Sequence, residues 1–206
     1  MDTQQHWDKV YTSKSPDQMS WFRPHLETSL ALIERATRGD PSASIIDVGG
    51  GASTLVDDLI ERGYPDITVL DISQTALDAA QVRLGKVPES IRWLRADVLQ
   101  ASLPEHSFDV WHDRAVFHFL TTSEHQLAYV RNVVSALKLG GHIIVGTFGP
   151  EGPTRCSGLD VVRYDAEALH AEFGPRFRLV ESSQEWHETP FGTQQQFLYC
   201  CCTLEQ

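Results

Sequence analysis

The chain has 206 residues, enough for one domain that covers both faces of a sheet and buries a sizeable core, and short for two. Its 28 acidic and 17 basic side chains leave a formal charge of -11 with no basic run, so a phosphate backbone would be repelled and a nucleic-acid substrate is argued against. Residues 1–7 lack the basic and apolar regions of a signal peptide, no apolar run approaches a membrane span, and Cys156 with consecutive Cys200, Cys201 and Cys202 fits neither a disulfide framework nor a paired zinc site, so a cytoplasmic protein with reduced thiols is expected.

The leader, residues 1–25, holds Trp7, Tyr11, Trp21 and Phe22 and is too apolar for a solvated tail. Leu26, Leu30 and Ile33 then share one helical face. Residues 44–48 read as the first strand, running through Asp47 and Val48 into Gly49, Gly50 and Gly51, where the backbone can turn sharply and approach a ligand without a Cβ in the way. A second strand, 67–70, ends at Asp71, and Ser73 caps a predicted helix whose Leu77, Ala80 and Leu84 form one stripe. The third strand, 91–94, leads to Asp97 and Val98, and the fourth, 108–111, leads to His112, Asp113, Arg114 and His118.

From Ser123, the spacing of Leu127, Val130, Val134 and Leu137 predicts a helix that stops at Gly140 and Gly141, ahead of a fifth strand at 142–148. A Gly/Pro-rich loop at 149–153 and a short helix at 165–173 follow. Runs 177–186 and 195–204 predict a hairpin turning at 189–193. Strand-helix alternation of this kind predicts one α/β domain over 1–206, with a mostly parallel sheet and right-handed crossovers.

The glycine turn alone suits any tight strand-to-helix connection. Asp71, 20 positions after Gly51, adds a carboxylate that can accept from both hydroxyls of a ribose, and Asp97 adds one for an adenine amino group. Three successive strands ending in a glycine turn, an acid and an acid would surround an adenosine. A dinucleotide enzyme would carry its third glycine where Thr54 stands, so the pattern tilts away from NAD.

With these residues the chain resembles the class I S-adenosylmethionine-dependent methyltransferases over most of its length. Asp47 to Gly51 resembles their first motif, Asp71 and Ile72 their ribose site, Asp97 and Val98 their adenine site, and the Gly140-Gly141 region the run into their fifth strand. The resemblance implies a Rossmann-like seven-stranded sheet of order 3-2-1-4-5-7-6, last strand antiparallel, with helices on both faces. It also implies S-adenosylmethionine as cofactor and S-adenosylhomocysteine as product. The family's usual glycine is Ser53 here and its late proline is Leu139. The leader resembles the aromatic lid of thiopurine-type and some protein-lysine methyltransferases, which places Trp7, Tyr11 and Trp21 over the sulfonium, where ring faces attract a cation.

Methyl transfer from a sulfonium is a displacement, so the protein mainly positions the acceptor and removes a proton where required. His112, Asp113 and His118 are the candidate catalytic residues, and Cys156, Arg163 and Tyr164 the candidate substrate loop. The tetrapeptide with which related enzymes hold planar amide or base nitrogens is absent, since Asp113 is followed by Arg114, Ala115 and Val116. No close metal-ligand spacing occurs, and the cysteine triplet alternates faces of a strand, so no metal is expected. A small-molecule or protein methyl acceptor is the expected partner, with no nucleic acid or membrane. The rival readings are a nucleotide-dependent oxidoreductase and a regulatory module that binds the same cofactor without transferring from it.

Overall fold

The computed structural model describes residues 3–13, 15–86 and 88–206. In chain order its elements are α1 (Thr3–Ser13), α2 (Glu27–Thr37), β1 (Ile45–Val48), α3 (Leu55–Glu61), β2 (Ile67–Asp71), α4 (Gln74–Leu84), β3 (Arg92–Arg95), β4 (Phe108–Arg114), α5 (Ser123–Ala136), β5 (Leu137–Phe148), β6 (Arg155–Cys156), β7 (Leu159–Asp160), α6 (Ala166–Phe173), β8 (Phe177–Glu188) and β9 (Gln194–Leu204).

Seven strands form one sheet of order β3-β2-β1-β4-β5-β9-β8. The first five are parallel and β9 runs antiparallel to both β5 and β8. This is the expected 3-2-1-4-5-7-6 order, renumbered because the small β6–β7 hairpin precedes the last two strands. Parallel strands covered on both faces must be apolar throughout, and every residue of β1 and β2 except Asp47, Thr68 and Asp71 is.

One core lies under α5 and α6, with Ile46, Trp111, Tyr129, Val133 and Phe173. The other lies under α2, α3 and α4, with Leu30, Ile45, Leu59, Leu77 and Val110. Each fully buried side chain of this kind contributes about 1.5–3 kcal/mol relative to exposure. The cysteine triplet splits between them as a strand requires: Cys200 and Cys202 face the first core, Cys201 the second. All four thiols are free, and burial pushes those of the triplet up to about 11, 12 and 12, so they remain protonated.

The expected course of α5 needs correction. The helix ends at Ala136, and its buried face is Tyr129, Val133 and Ala136, while Leu127 is 56% exposed. Gly140 and Gly141 therefore lie inside β5. They serve a strand irregularity: the β4–β5 register shifts between Phe108 and Val110, Gly140 has φ +80, and a Cβ on Gly141 would lie 2.8 Å from the Lys138 carbonyl. Pairing of Leu137 with Phe108 outweighs the helical spacing. Among the described residues no helix is long and apolar enough to cross a membrane.

Candidate functional site

A cavity of about 600 Å³ opens at the carboxyl ends of β1, β2, β3 and β4, where ligands of open α/β sheets bind, and the leader lies across it. Its walls bring together Trp7, Tyr11, Trp21, Asp47, Gly49, Asp71, Ile72, Asp97, Val98 and His112. Gly50 and Gly51 stand behind that wall and set the turn. Gly49 has φ +70, and a Cβ there would collide with Val116.

Asp71 is held at the end of β2 by backbone: Gly51 N–H donates to its Oδ2 at 3.0 Å and Ser73 N–H to its Oδ1 at 2.8 Å. Burial pushes its carboxyl up to about 6, against the lowering effect of those two donors. A Cβ on Gly51 would lie 2.5 Å from Ala76 Cβ and 2.6 Å from Asp71 Oδ2. Gly51→Val must therefore displace Asp71, and it is expected to weaken cofactor binding at least about tenfold, read by titration calorimetry; an unchanged affinity would show that the acid takes no part. Asp97 sits half-buried beyond β3, where its Oδ1 accepts from Leu99 N–H at 2.9 Å.

The leader is fastened at several points. Ser73 Oγ, which caps α4, donates to Asp8 Oδ1 at 2.6 Å. Arg114 Nη1 donates to the Trp21 carbonyl at 2.9 Å, His187 Nε2 to the Ser20 carbonyl at 2.7 Å, and Arg23 Nη1 reaches Glu185 at 2.7 Å. Trp7 packs edge-on against Phe119 and Trp21, with centroids 5.1 and 6.1 Å apart. Burial, then Asp71 and Cys156, push the Tyr11 phenol well up, so it keeps its proton.

His112 and Asp47 are register partners on adjacent strands, both nearly inaccessible, with His112 Nδ1 2.7 Å from Asp47 Oδ1 and Nε2 2.9 Å from Ser29 Oγ on α2. Asp113 lies outside the cavity lining: its carboxylate accepts from Val116 N–H, Phe117 N–H and the Tyr129 hydroxyl. His118 is also off the lining, its Nδ1 accepting from Phe148 N–H at 3.3 Å, and burial followed by the Arg114 charge pushes it down to about 3. Cys156 does line the cavity, its thiol pushed by burial up to about 11. Tyr164 is buried beside Phe117, and exposed Arg163 donates to the Pro150 carbonyl; neither reaches the cavity.

Two wall components went unassigned in the sequence. The β6–β7 hairpin brings Leu159 and Asp160 to the cavity through a two-residue turn, Ser157 and Gly158, both at positive φ; that dipeptide is its sequence signal. Arg114, recognised only as one of several polar residues after β4, is buried with its guanidinium 4.2 Å over the Phe197 ring.

The wall's loose ends fit the cofactor. Asp47 Oδ2 and Arg114 Nη2 are buried without a hydrogen-bond partner, the latter 3.8 Å from Glu185. A carboxylate oxygen and a guanidinium N–H without partners could take the two charges of an amino-acid end, and Asp71 and Asp97 could accept from a ribose and an adenine.

A family model described as a methyltransferase domain matches residues 45–141. A mouse eEF1A lysine methyltransferase is 27% identical over 185 residues, covering 84% of this chain and 71% of that protein. An uncharacterized methyltransferase of Mycobacterium tuberculosis is 35% identical over 104 residues, half of each chain. Mouse eEF1A lysine and N-terminal methyltransferase is 25% identical over 71% of this chain; the chain spans 23% and 50% of the lengths of the mouse and mycobacterial relatives it matches first. Among solved structures, the N-methyltransferase NodS from Bradyrhizobium japonicum in complex with S-adenosylhomocysteine superposes with a TM-score of 0.75 at 18% identity over the whole of both chains, which shows the shared fold. Residues 45–141 are thus similar to a methyltransferase domain, and the whole chain shares its fold with a methyltransferase solved in complex with S-adenosylhomocysteine.

Proposed function

We propose that the chain transfers a methyl group to a small, largely apolar acceptor bound beneath the leader. The observation that carries this reading is the closure of the cavity by Trp7, Tyr11 and Trp21, fastened through Arg114 and Ser73, over a floor that holds Asp71 and Asp97. When bound, the cofactor supplies an electrophilic methyl on a sulfonium. Asp71 accepts from ribose hydroxyls, Asp97 from the adenine amino group, and Gly49, Gly50 and Gly51 let the backbone approach. The leader's rings exclude water and face the positive charge.

His112 has both ring nitrogens engaged, and Asp113 and His118 lie off the lining, so this reading gives them no acceptor proton to remove. An acceptor with a lone pair already free, such as a neutral amine or a delocalised anion, suits such a wall. The buried free thiols and the acidic net charge support a cytoplasmic setting and a partner other than nucleic acid.

A protein lysine is the second reading, favoured by the eEF1A lysine methyltransferases among the relatives. Incubation of a cell extract with methyl-labelled cofactor, split into small-molecule and macromolecular fractions, decides between them. The label is expected in the small-molecule fraction; label confined to protein would establish the second reading, and label in neither would leave a cofactor-binding module.

A further inference from the structure

The floor of the cavity contains a line of buried polar side chains that cofactor contact alone does not explain. Asp47 on β1 meets His112 on β4 at 2.7 Å, and His112 meets Ser29 on α2 at 2.9 Å. On β9, the Tyr199 hydroxyl accepts from Arg114 Nε at 2.8 Å. Arg114 in turn donates to the Trp21 carbonyl of the leader. One group of bonds thus joins β1, β4 and α2, and a second joins β4, β9 and the leader.

Along the Asp47–His112–Ser29 line the donors can point the same way: Ser29 O–H to His112 Nε2, and His112 Nδ1–H to Asp47. Such a chain is mutually polarising in a low-dielectric interior. Ser29, Asp47 and His112 are 0%, 2% and 1% exposed, so a core packed for stability alone would place apolar groups there. Asp47 Oδ2 and Arg114 Nη2 lack partners, and both residues line the cavity.

We propose that His112 is a positioning residue, held by Ser29, that fixes the Asp47 carboxylate in the cavity wall for the amino-acid end of the cofactor. The role rests on the cofactor placement given above. His112 donates one proton and accepts another, so it removes none from the acceptor. An asparagine at 112 carries an N–H near the Nδ1 position and keeps the bond to Asp47, whereas a leucine leaves that carboxylate without a donor.

The test compares S-adenosylhomocysteine with 5′-methylthioadenosine, which has the adenosine and thioether but neither the carboxylate nor the ammonium. By calorimetry, His112→Leu is expected to bind S-adenosylhomocysteine about tenfold more weakly and methylthioadenosine unchanged, and His112→Asn to recover most of the loss. Ser29→Ala, which removes one hydroxyl and keeps the fold within reach if the leucine variant fails, is expected to show the same selectivity at about threefold. Equal losses for both ligands would reduce His112 to a packing role, and no loss for S-adenosylhomocysteine would overturn the proposal. Wild-type protein that binds neither ligand would instead overturn the cofactor placement.

Discussion

Asp71→Asn is expected to lower affinity for S-adenosylhomocysteine at least about a hundredfold. The carboxylate is anchored by Gly51 and Ser73 N–H groups and faces the cavity with lone pairs to spare. Two hydrogen bonds from ribose hydroxyls to a charged acceptor at about 1.5–3 kcal/mol each account for that factor. The same substitution changes the pH profile. In the wild type, the carboxyl titrates at about 6, so affinity is expected to fall as pH drops below 6, up to about tenfold per unit, while the asparagine variant stays flat.

Stability of the ligand-free protein runs the other way. The folded group at about 6 lies above its unfolded value of about 3.9, so the unfolded chain loses its proton first. The Asp71 contribution to stability is then largest below pH 4 and is lost, by about 3 kcal/mol, as pH rises through 6. Asp71→Asn removes this dependence, and chemical denaturation at pH 5 and 7.5 reads the difference. An unaltered affinity, or a wild-type pH slope retained by the variant, would displace Asp71 from the site. Burial of Asp71 thus carries a cost in the folded protein that the proposed ribose hydrogen bonds would offset.

Asp113→Ala is expected to act on the fold. Its carboxylate ties the turn after β4, where Ala115 sits at φ 71, by accepting from Val116 N–H at 2.9 Å and Phe117 N–H at 3.1 Å. It also ends a buried chain in which Trp111 Nε1 donates to the Tyr129 hydroxyl and that hydroxyl to Asp113 at 2.6 Å. Truncation leaves three donors unpaired, two of them buried at about 1–3 kcal/mol each. Burial pushes Asp113 up to about 6, against its hydrogen bonds. The wild type is therefore least penalised at acid pH, and the variant is expected to lose about 4 kcal/mol at pH 5 and less at 7.5, as measured by urea titration. Native stability combined with lost turnover would return Asp113 to the chemistry.

The two predictions separate what is legible in the chain from what is not. Sequence alone determines the order of the seven strands of the main sheet along the chain, the glycine turn after β1, and Asp71 and Asp97 as acids at strand ends. Each of these depends on a few consecutive residues, where glycine's backbone freedom, helix caps and alternating apolar runs act locally. Sequence also places the cysteine triplet on alternating faces of one strand, because the period of two is a property of the strand itself.

What the tertiary structure decided lies between elements. His112 and Asp47 are 65 residues apart, and only the parallel register of β1 with β4 sets them side by side; Ser29 joins them because α2 packs on that face. Asp113 and His118 look equally available in the sequence, yet the turn at Ala115 directs Asp113 into backbone N–H groups, and His118 is buried against Phe148. The end of α5 followed strand pairing rather than helical spacing, because the long-range bond of Leu137 to Phe108 wins over a local preference worth less. Local rules name the residues able to do chemistry, and packing decides which of them line the cavity.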